Sequence, residues 1–358
     1  MTLTSIADIS ASVTVGVDTH KHTHFATAKD GLGRDLGHME IDTNPRGYAA
    51  LLKWSQAFSR QVVFGVEGTS SYGAGLARYL RANGQTTIEV LRPTRQDRRL
   101  RGKSDRIDAA AAAAAVQAGK ARAVPKAGDE GVEMIRPLKV AKSTAIKART
   151  QCMNAIKALI MTAPDALREQ LRDLTPKTLI TTASAFRVPE VVDPISATKW
   201  SIRSMARRYA TLDEEVTELE GRLDELTQKL VPELRQCIGV GQDVAASLVL
   251  AAGLNGDRIR SEASFSMLCG SSPIPASSGM TNRHRLNRGG DRQANAALHR
   301  IVLVRMRYHE PTRAYVAKRT AEGRTKAEIF RCLKRYVARE VFKLLVIPVA
   351  RVEEPEAA

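Results

Sequence analysis

The sequence predicts an α/β amino-terminal region followed by an all-α remainder, and three observations carry that expectation. From Ser12 to about Val124 short apolar runs of strand periodicity exchange with helical stretches. From about Lys126 to Leu230 the strand pattern is lost and helical periodicity takes over. From Glu233 to about Leu345 helical segments again dominate, separated by glycine-rich turns.

The elements follow in order. Val13–Asp18 reads as a central strand, and His24–Lys29 and Gly37–Thr43 as two more, joined by the turn Asp30-Gly-Leu-Gly33 in a meander. Asn44-Pro45 opens a helix that runs to about Phe58, and Gln61–Glu67 returns to strand. Ser71–Asn83 is helical with Gly84 at its end, and Thr87–Leu91 is a fifth strand before Pro93. Ser104 is suited to cap a helix that passes through the alanine tract Ala109–Ala115 to Gly119. Three strands, helix, strand, helix, strand, helix is the order of the ribonuclease H fold, expected here over residues 1–125.

Residues 126–232 read as a helical linker. Pro164, Pro176, Pro189 and Pro194 interrupt it, and Leu212, Val216, Leu219, Leu223, Leu226 and Leu230 alternate spacings of four and three up to Pro232. That spacing is a coiled-coil seam, which serves either self-association or a helical hairpin within the chain. Residues 233–348 form the predicted carboxyl-terminal helical domain, and residues 349–358 an acidic tail. Within the helical domain, Gly239-Val-Gly241 fits a phosphate-facing hairpin between helices and a plain interhelical turn equally well.

Composition narrows the partners. At 358 residues and 43% hydrophobic the chain is long enough for two or three domains with cores of their own. A formal charge of +17 and a pI near 10 favour a polyanion, with nucleic acid first, because cations on a surface release the counterions condensed on it. No apolar run reaches the roughly 18–20 residues of a spanning helix, so no membrane role is expected. Met1–Ser12 lacks the pattern of a secretory signal, which gives a cytoplasmic expectation. Cys152, Cys237, Cys269 and Cys332 are far apart, without the spacing of a disulfide framework or a zinc site.

Four carboxylates carry the chemistry. Asp18 and Glu67 each end an apolar strand, and Asp105 and Asp108 lie at i and i+3 on one face of the helix that Ser104 opens. Acidic residues in a first helical turn commonly only complement the helix dipole, so that pair alone indicates structure before catalysis. All four together suit a hard divalent cation shared with substrate phosphates, Mg²⁺ first. The adjoining basic loop holds Arg92, Arg95, Arg98, Arg99, Arg101 and Lys103, cations that offset the repulsion between carboxylates and a polyanion. His20, His22 and His24 alternate after Asp18; zinc has little support, and one or two of them are expected at the edge of the site or exposed. Pro273–Gly279 is a turn-rich loop followed by Arg283, Arg285 and Arg288. On residue chemistry alone its Ser278 is a loop residue, although a serine beside arginines can attack a phosphate.

With these motifs assembled, the chain resembles the DEDD transposases of the insertion-sequence-110 family over nearly its whole length. The resemblance rests on Gly16-Val-Asp-Thr-His-Lys21, Gly65-Val-Glu-Gly-Thr69, Lys103-Ser-Asp-Arg-Ile-Asp-Ala109, Cys269–Gly279 and Gly289-Gly-Asp-Arg-Gln-Ala-Asn295. After Gly279 the chain departs from the usual lysine or arginine stretch, with Met280–Arg285 in its place. The resemblance implies a RuvC-like ribonuclease H domain with Asp18, Glu67, Asp105 and Asp108 as Mg²⁺ ligands. It also implies a coiled-coil linker and a helical transposase domain with Ser278 as nucleophile, forming a covalent phosphoserine link to DNA. Expected partners are donor and target DNA, a structured noncoding guide RNA, and further copies of the chain in a dimer or tetramer. Two other readings stand beside it: a Holliday-junction endonuclease with water as nucleophile, and a non-catalytic nucleic-acid scaffold.

Overall fold

A computed structural model describes residues 12–91, 104–126, 128, 130–255, 258–280 and 284–345. The expected acidic tail and the basic loop with Arg92, Arg95, Arg98, Arg99, Arg101 and Lys103 lie outside the described residues, as does Arg283. The chain divides into two compact units, one formed by the stretch ahead of Glu130 with Ala252–Ser264, the other by Glu130–Ala251 with Phe265–Leu345.

The first unit is built on a five-stranded sheet in the order β3-β2-β1-β4-β5. Its strands are β1 (Val13–Thr19), β2 (Thr23–Asp30), β3 (Asp35–Asp42), β4 (Val62–Glu67) and β5 (Thr86–Val90). β1–β2 and β2–β3 pair antiparallel, whereas β4 lies parallel to both β1 and β5. Helices α1 (Pro45–Gln56), α2 (Ala74–Ala82) and α3 (Asp105–Gln117) complete it. Two expected caps are present: Asn44 accepts from the Gly47 N–H, and Ser104 Oγ from the Ile107 N–H at 3.3 Å.

The alternation of the central strands sets up two unlike faces. Val13, Val15 and Val17 of β1 and Val62, Phe64 and Val66 of β4 bury against Tyr48, Leu51 and Leu52 of α1 and Leu76 and Leu80 of α2. The intervening residues face α3, whose buried positions are Ala109, Ala112 and Ala113. α3 comes down close because Gly16 and Gly65, register partners in β1 and β4, present no side chain to it. A Cβ on Gly16 would lie 2.0 Å from the Ala109 carbonyl oxygen, and one on Gly65 would lie 2.7 Å from Val116 Cγ2.

In the second unit α4 (Glu130–Thr162) and α7 (Pro194–Leu230) are long helices, joined through α5 (Asp165–Leu171) and α6 (Pro176–Ser184). Pro164, Pro176 and Pro194 stand at the starts of α5, α6 and α7, where a missing N–H costs nothing, whereas Pro137 lies inside α4. The two long helices run antiparallel. Arg149 pairs with Asp213, Lys142 with Glu220 at 2.9 Å, and a Cβ on Gly131 would meet Leu230. Val216 and Leu223 of the heptad seam are buried, while Leu212, Leu219, Leu226 and Leu230 are half-buried. Of the two uses of the seam, the hairpin within one chain is therefore realised. Its tip is an apolar cluster of Ile156, Ile160, Leu167, Leu171, Leu179 and Ile202.

The rest of this unit holds α8 (Pro232–Arg235), α9 (Gln242–Ala252) up to Ala251, the later part of α10 (Glu262–Leu268) from Phe265, the ribbon of β6 (Ile274–Pro275) and β7 (His284–Arg285), α11 (Arg292–Tyr308), α12 (Glu310–Ala321) and α13 (Lys326–Leu345). Gly239-Val-Gly241 forms the turn between α8 and α9, and Arg235 donates to its Val240 carbonyl at 2.9 Å. Asp243 of α9 ties three elements together, accepting from Lys139 at 2.7 Å, Lys142 at 3.1 Å and Arg300 at 2.5 Å. Burial alone would raise its proton affinity, but the two lysines outweigh burial and hold its carboxyl well below the usual carboxylate range.

Candidate active site

The strand register delivers the first two carboxylates. Val17 pairs with Val66, so Asp18 and Glu67 come side by side at the carboxyl ends of parallel strands, on the face shared with Gly16 and Gly65. Both are buried, and the Thr19 hydroxyl donates to the Glu67 carbonyl at 3.1 Å, fixing the two strand ends.

The close seat of α3 brings its first turn to the same edge. Donor atoms of Asp18, His20 and Asp105 lie within 4.8 Å of one another. His20 Nε2 stands 3.9 Å from Asp18 Oδ2. Asp108, one turn along α3 from Ser104, is half-buried and adds its charge to the field at Asp18. Burial raises the Asp18 pKa above the ordinary carboxylate value, His20 opposes the rise, and Asp108 and Asp105 add to it.

The three histidines separate. β1 ends at Thr19 and β2 begins at Thr23, so His20 and His22 lie in the connection and do not alternate along one strand as the spacing suggested. His20 joins the carboxylates, and His22 is exposed. His24 pairs with Thr19 on the opposite face of the sheet, fully buried and stacked on Tyr48 at 5.9 Å between centroids. Burial lowers its pKa. A signal for His20 existed in the sequence, since it stands two residues past a strand-ending aspartate, but the boundary of that strand decides which histidine reaches the edge.

The donor set fits a divalent cation. Two carboxylates and an imidazole come from separate elements, and the buried carboxylate carries the electrostatic strain of acidic neighbours that a cation relieves.

In the second unit Ser278 is exposed, beyond β6 and next to Gly279, whose φ is +56°. The base of this loop is a knot of backbone and amide contacts. Asn295 Nδ2 donates to the Cys269 carbonyl at 2.7 Å, Gly289 N–H donates to Asn287 Oδ1 at 2.9 Å, and Asp291 caps α11 by accepting from Gln293 and Ala294 N–H. Gly290 is needed there, because a Cβ on it would lie 2.5 Å from the Leu268 carbonyl oxygen. Arg285 and Arg288, both exposed, line a cavity of about 490 Å³ with Ile274 and Leu286.

Among the described residues no helix is long and apolar enough to cross a membrane. No curated protein matches the chain. Two family models do, one for DEDD transposases of the IS110 type over residues 15–163, the other for the IS116/IS110/IS902 transposase family over residues 231–317. The first span holds all four carboxylates and the second holds Ser278 and the knot beneath it. By both matches the chain is a transposase of the IS110 family.

Proposed function

We propose that this transposase is an RNA-guided DNA recombinase, with a RuvC-like ribonuclease H domain over residues 1–125, a helical linker over 126–232 and a serine-bearing domain over 233–348. It acts in the cytoplasm on donor and target DNA as a dimer or tetramer. Asp18, Glu67, Asp105 and Asp108 hold Mg²⁺, with His20 beside them. The observation that carries the reading is the meeting of Asp18, His20 and Asp105 at the end of β1, within 4.8 Å, in a chain of transposase family.

When bound, the metal supplies positive charge to the non-bridging oxygens of a scissile phosphate. The chain's own groups do the rest. Asp18 and Glu67 are set by the strand register, and Asp105 and Asp108 by the capped turn of α3. Ser278 Oγ forms a bond to phosphorus as the bond from phosphorus to a deoxyribose oxygen breaks; the serine proton passes to solvent and the departing oxygen takes one up. Arg285 and Arg288 steady the phosphate by charge. The resulting phosphoserine ester keeps the bond energy, so a second strand's hydroxyl can reverse the step and complete an exchange.

Trapping tests this. The protein is incubated with element-end DNA, the element's RNA and Mg²⁺, and covalent protein–DNA adducts are resolved on denaturing gels. Adducts are expected with the native protein and with Ser277→Ala, and absent with Ser278→Ala. Cleavage without any adduct overturns the serine mechanism in favour of metal-activated water. Cleavage and Mg²⁺ affinity that survive Asp18→Asn and Glu67→Gln overturn the metal site and leave a scaffold.

A further inference from the structure

The second unit contains another cavity, whose lining includes neither Ser278 nor the four carboxylates and shares Arg285 and Leu286 with the cavity beside the serine loop. Its volume is about 630 Å³, and it is formed by the loop after α10, by β7, by Arg319 of α12 and by one face of α13. Among the described residues its arginines are Arg285, Arg319, Arg324, Arg331, Arg335 and Arg339, and its carboxylate is Glu328. That carboxylate is engaged in closing the start of α13, accepting from Thr325 N–H at 2.9 Å and Thr325 Oγ1 at 2.8 Å, with Arg324 3.9 Å away. Arg319 is paired with Glu322. Lys334 also lines the wall; its ammonium donates to the Asn295 amide oxygen at 2.6 Å, and burial lowers its pKa. Positive charge therefore exceeds negative in a concave wall of low dielectric, which focuses the field on an anion.

Charge alone would suit any phosphate, but the cavity has a second component. Tyr336 is half-exposed in the wall and is held edge to face by Tyr315, with centroids 5.7 Å apart and planes at 85°. The Arg339 guanidinium lies 5.8 Å from its ring centroid. An aromatic ring fixed in place among arginines is the chemistry that stacks a base beside its own phosphate. A duplex keeps its bases inside, so a ring at the wall of a cavity would meet only sugar and phosphate; an unpaired nucleotide presents both components. The volume falls within the roughly 300–1,000 Å³ of pockets that enclose a small organic group.

We propose that this cavity takes an unpaired nucleotide of single-stranded DNA or RNA, its phosphate among the arginines of α13 and its base on Tyr336. The site reads strand state through Tyr336 and the arginines of α13, none of which the serine and metal reading uses, so it can stand or fall apart from that reading.

The test uses the full chain and fluorescence anisotropy without divalent cation. Probes of equal length are a labelled oligo-dT, an oligo-U, an abasic single strand and a duplex. Tyr336→Leu, which keeps apolar volume, is expected to weaken oligo-dT or oligo-U about tenfold, as loss of one stacked base does, while abasic and duplex affinities stay within about twofold. Tyr336→Phe is expected to stay within about twofold of native on all probes. Arg331→Gln is expected to weaken base-bearing and abasic strands alike and to lower the salt slope by about one. Ultraviolet crosslinking of 5-iodouracil strands to the native protein, which needs no variant, is expected to label the peptide bearing Tyr336. The probe bound more tightly, oligo-dT or oligo-U, identifies which strand is taken. Equal losses on the abasic strand, no loss from Tyr336→Leu, or crosslinks confined to other peptides would overturn the proposal. Adduct formation by Ser278 is read separately, so either idea can fail alone.

Discussion

Asp18 is the residue on which local electrostatics and chemistry conflict most. Burial and two acidic neighbours raise its proton affinity, and His20 with the Thr19 backbone N–H only partly opposes them. An aspartate whose folded pKa lies above its unfolded value costs nothing at a pH below both. It destabilises the fold progressively as pH rises from the unfolded value near 4 through the raised folded one. At neutral pH without divalent cation, Asp18→Asn is therefore expected to raise the melting temperature while abolishing strand cleavage. Mg²⁺ is expected to stabilise the native protein, by about 2.7 kcal/mol at a hundredfold excess over its dissociation constant, and not the variant. Differential scanning fluorimetry with and without Mg²⁺ reads both signs; a variant that melts lower, or gains as much from Mg²⁺, contradicts the assignment. The carboxylates were visible in the sequence because each closes a strand or opens a helix. That one or two of His20, His22 and His24 reach the edge of the site or the surface was legible too; which of them joins the carboxylates was not, because hydrophobic alternation locates a strand but not the residue at which it stops.

At the level of elements, the site depends on how closely α3 sits on β1. Gly16→Ala would place a methyl 2.0 Å from a helix carbonyl, and neither backbone can yield without moving the turn that bears Asp105 and Asp108. Gly65→Ala meets a side chain, Val116, at 2.7 Å. The expected costs are about 3 kcal/mol for the first and about 1 kcal/mol for the second, measured by urea unfolding. Loss of the Mg²⁺ response is expected only for Gly16→Ala. Equal effects from the two substitutions would mean that helix seating does not set the site. The order of strands and helices was legible from period and caps, since Asn44, Ser104 and Gly84 mark ends by local chemistry. The partner of the heptad seam was not legible. A heptad records that a helix has an apolar stripe, whereas the partner is chosen by α5 and α6, which turn the chain back so that α4 covers Val216 and Leu223.

For the whole molecule, the formal charge of +17 governs encounter more than recognition. If six or more phosphates are engaged, affinity for a random duplex is expected to fall about a thousandfold or more between 50 and 200 mM salt. Anisotropy titrations across that range supply the slope, and a flat dependence would contradict a nucleic-acid surface. This much was readable from composition, because net charge needs no fold. The gathering of arginines around Tyr336 was not readable, since Arg285, Arg319 and Arg331 meet only after β7, α12 and α13 have folded together.

The paired glycines beneath α3 have a consequence for how this protein tolerates change. Because the helix comes to rest with its main chain against the strand at Gly16, that depth is fixed by atoms every residue shares. Substitutions on the outward side of the alanine tract can accumulate without shifting Asp105 toward or away from Asp18. Drift in most of the helix is thereby decoupled from the spacing of the carboxylates, and the sensitivity of that spacing is concentrated at Gly16, a position that carries no functional group at all.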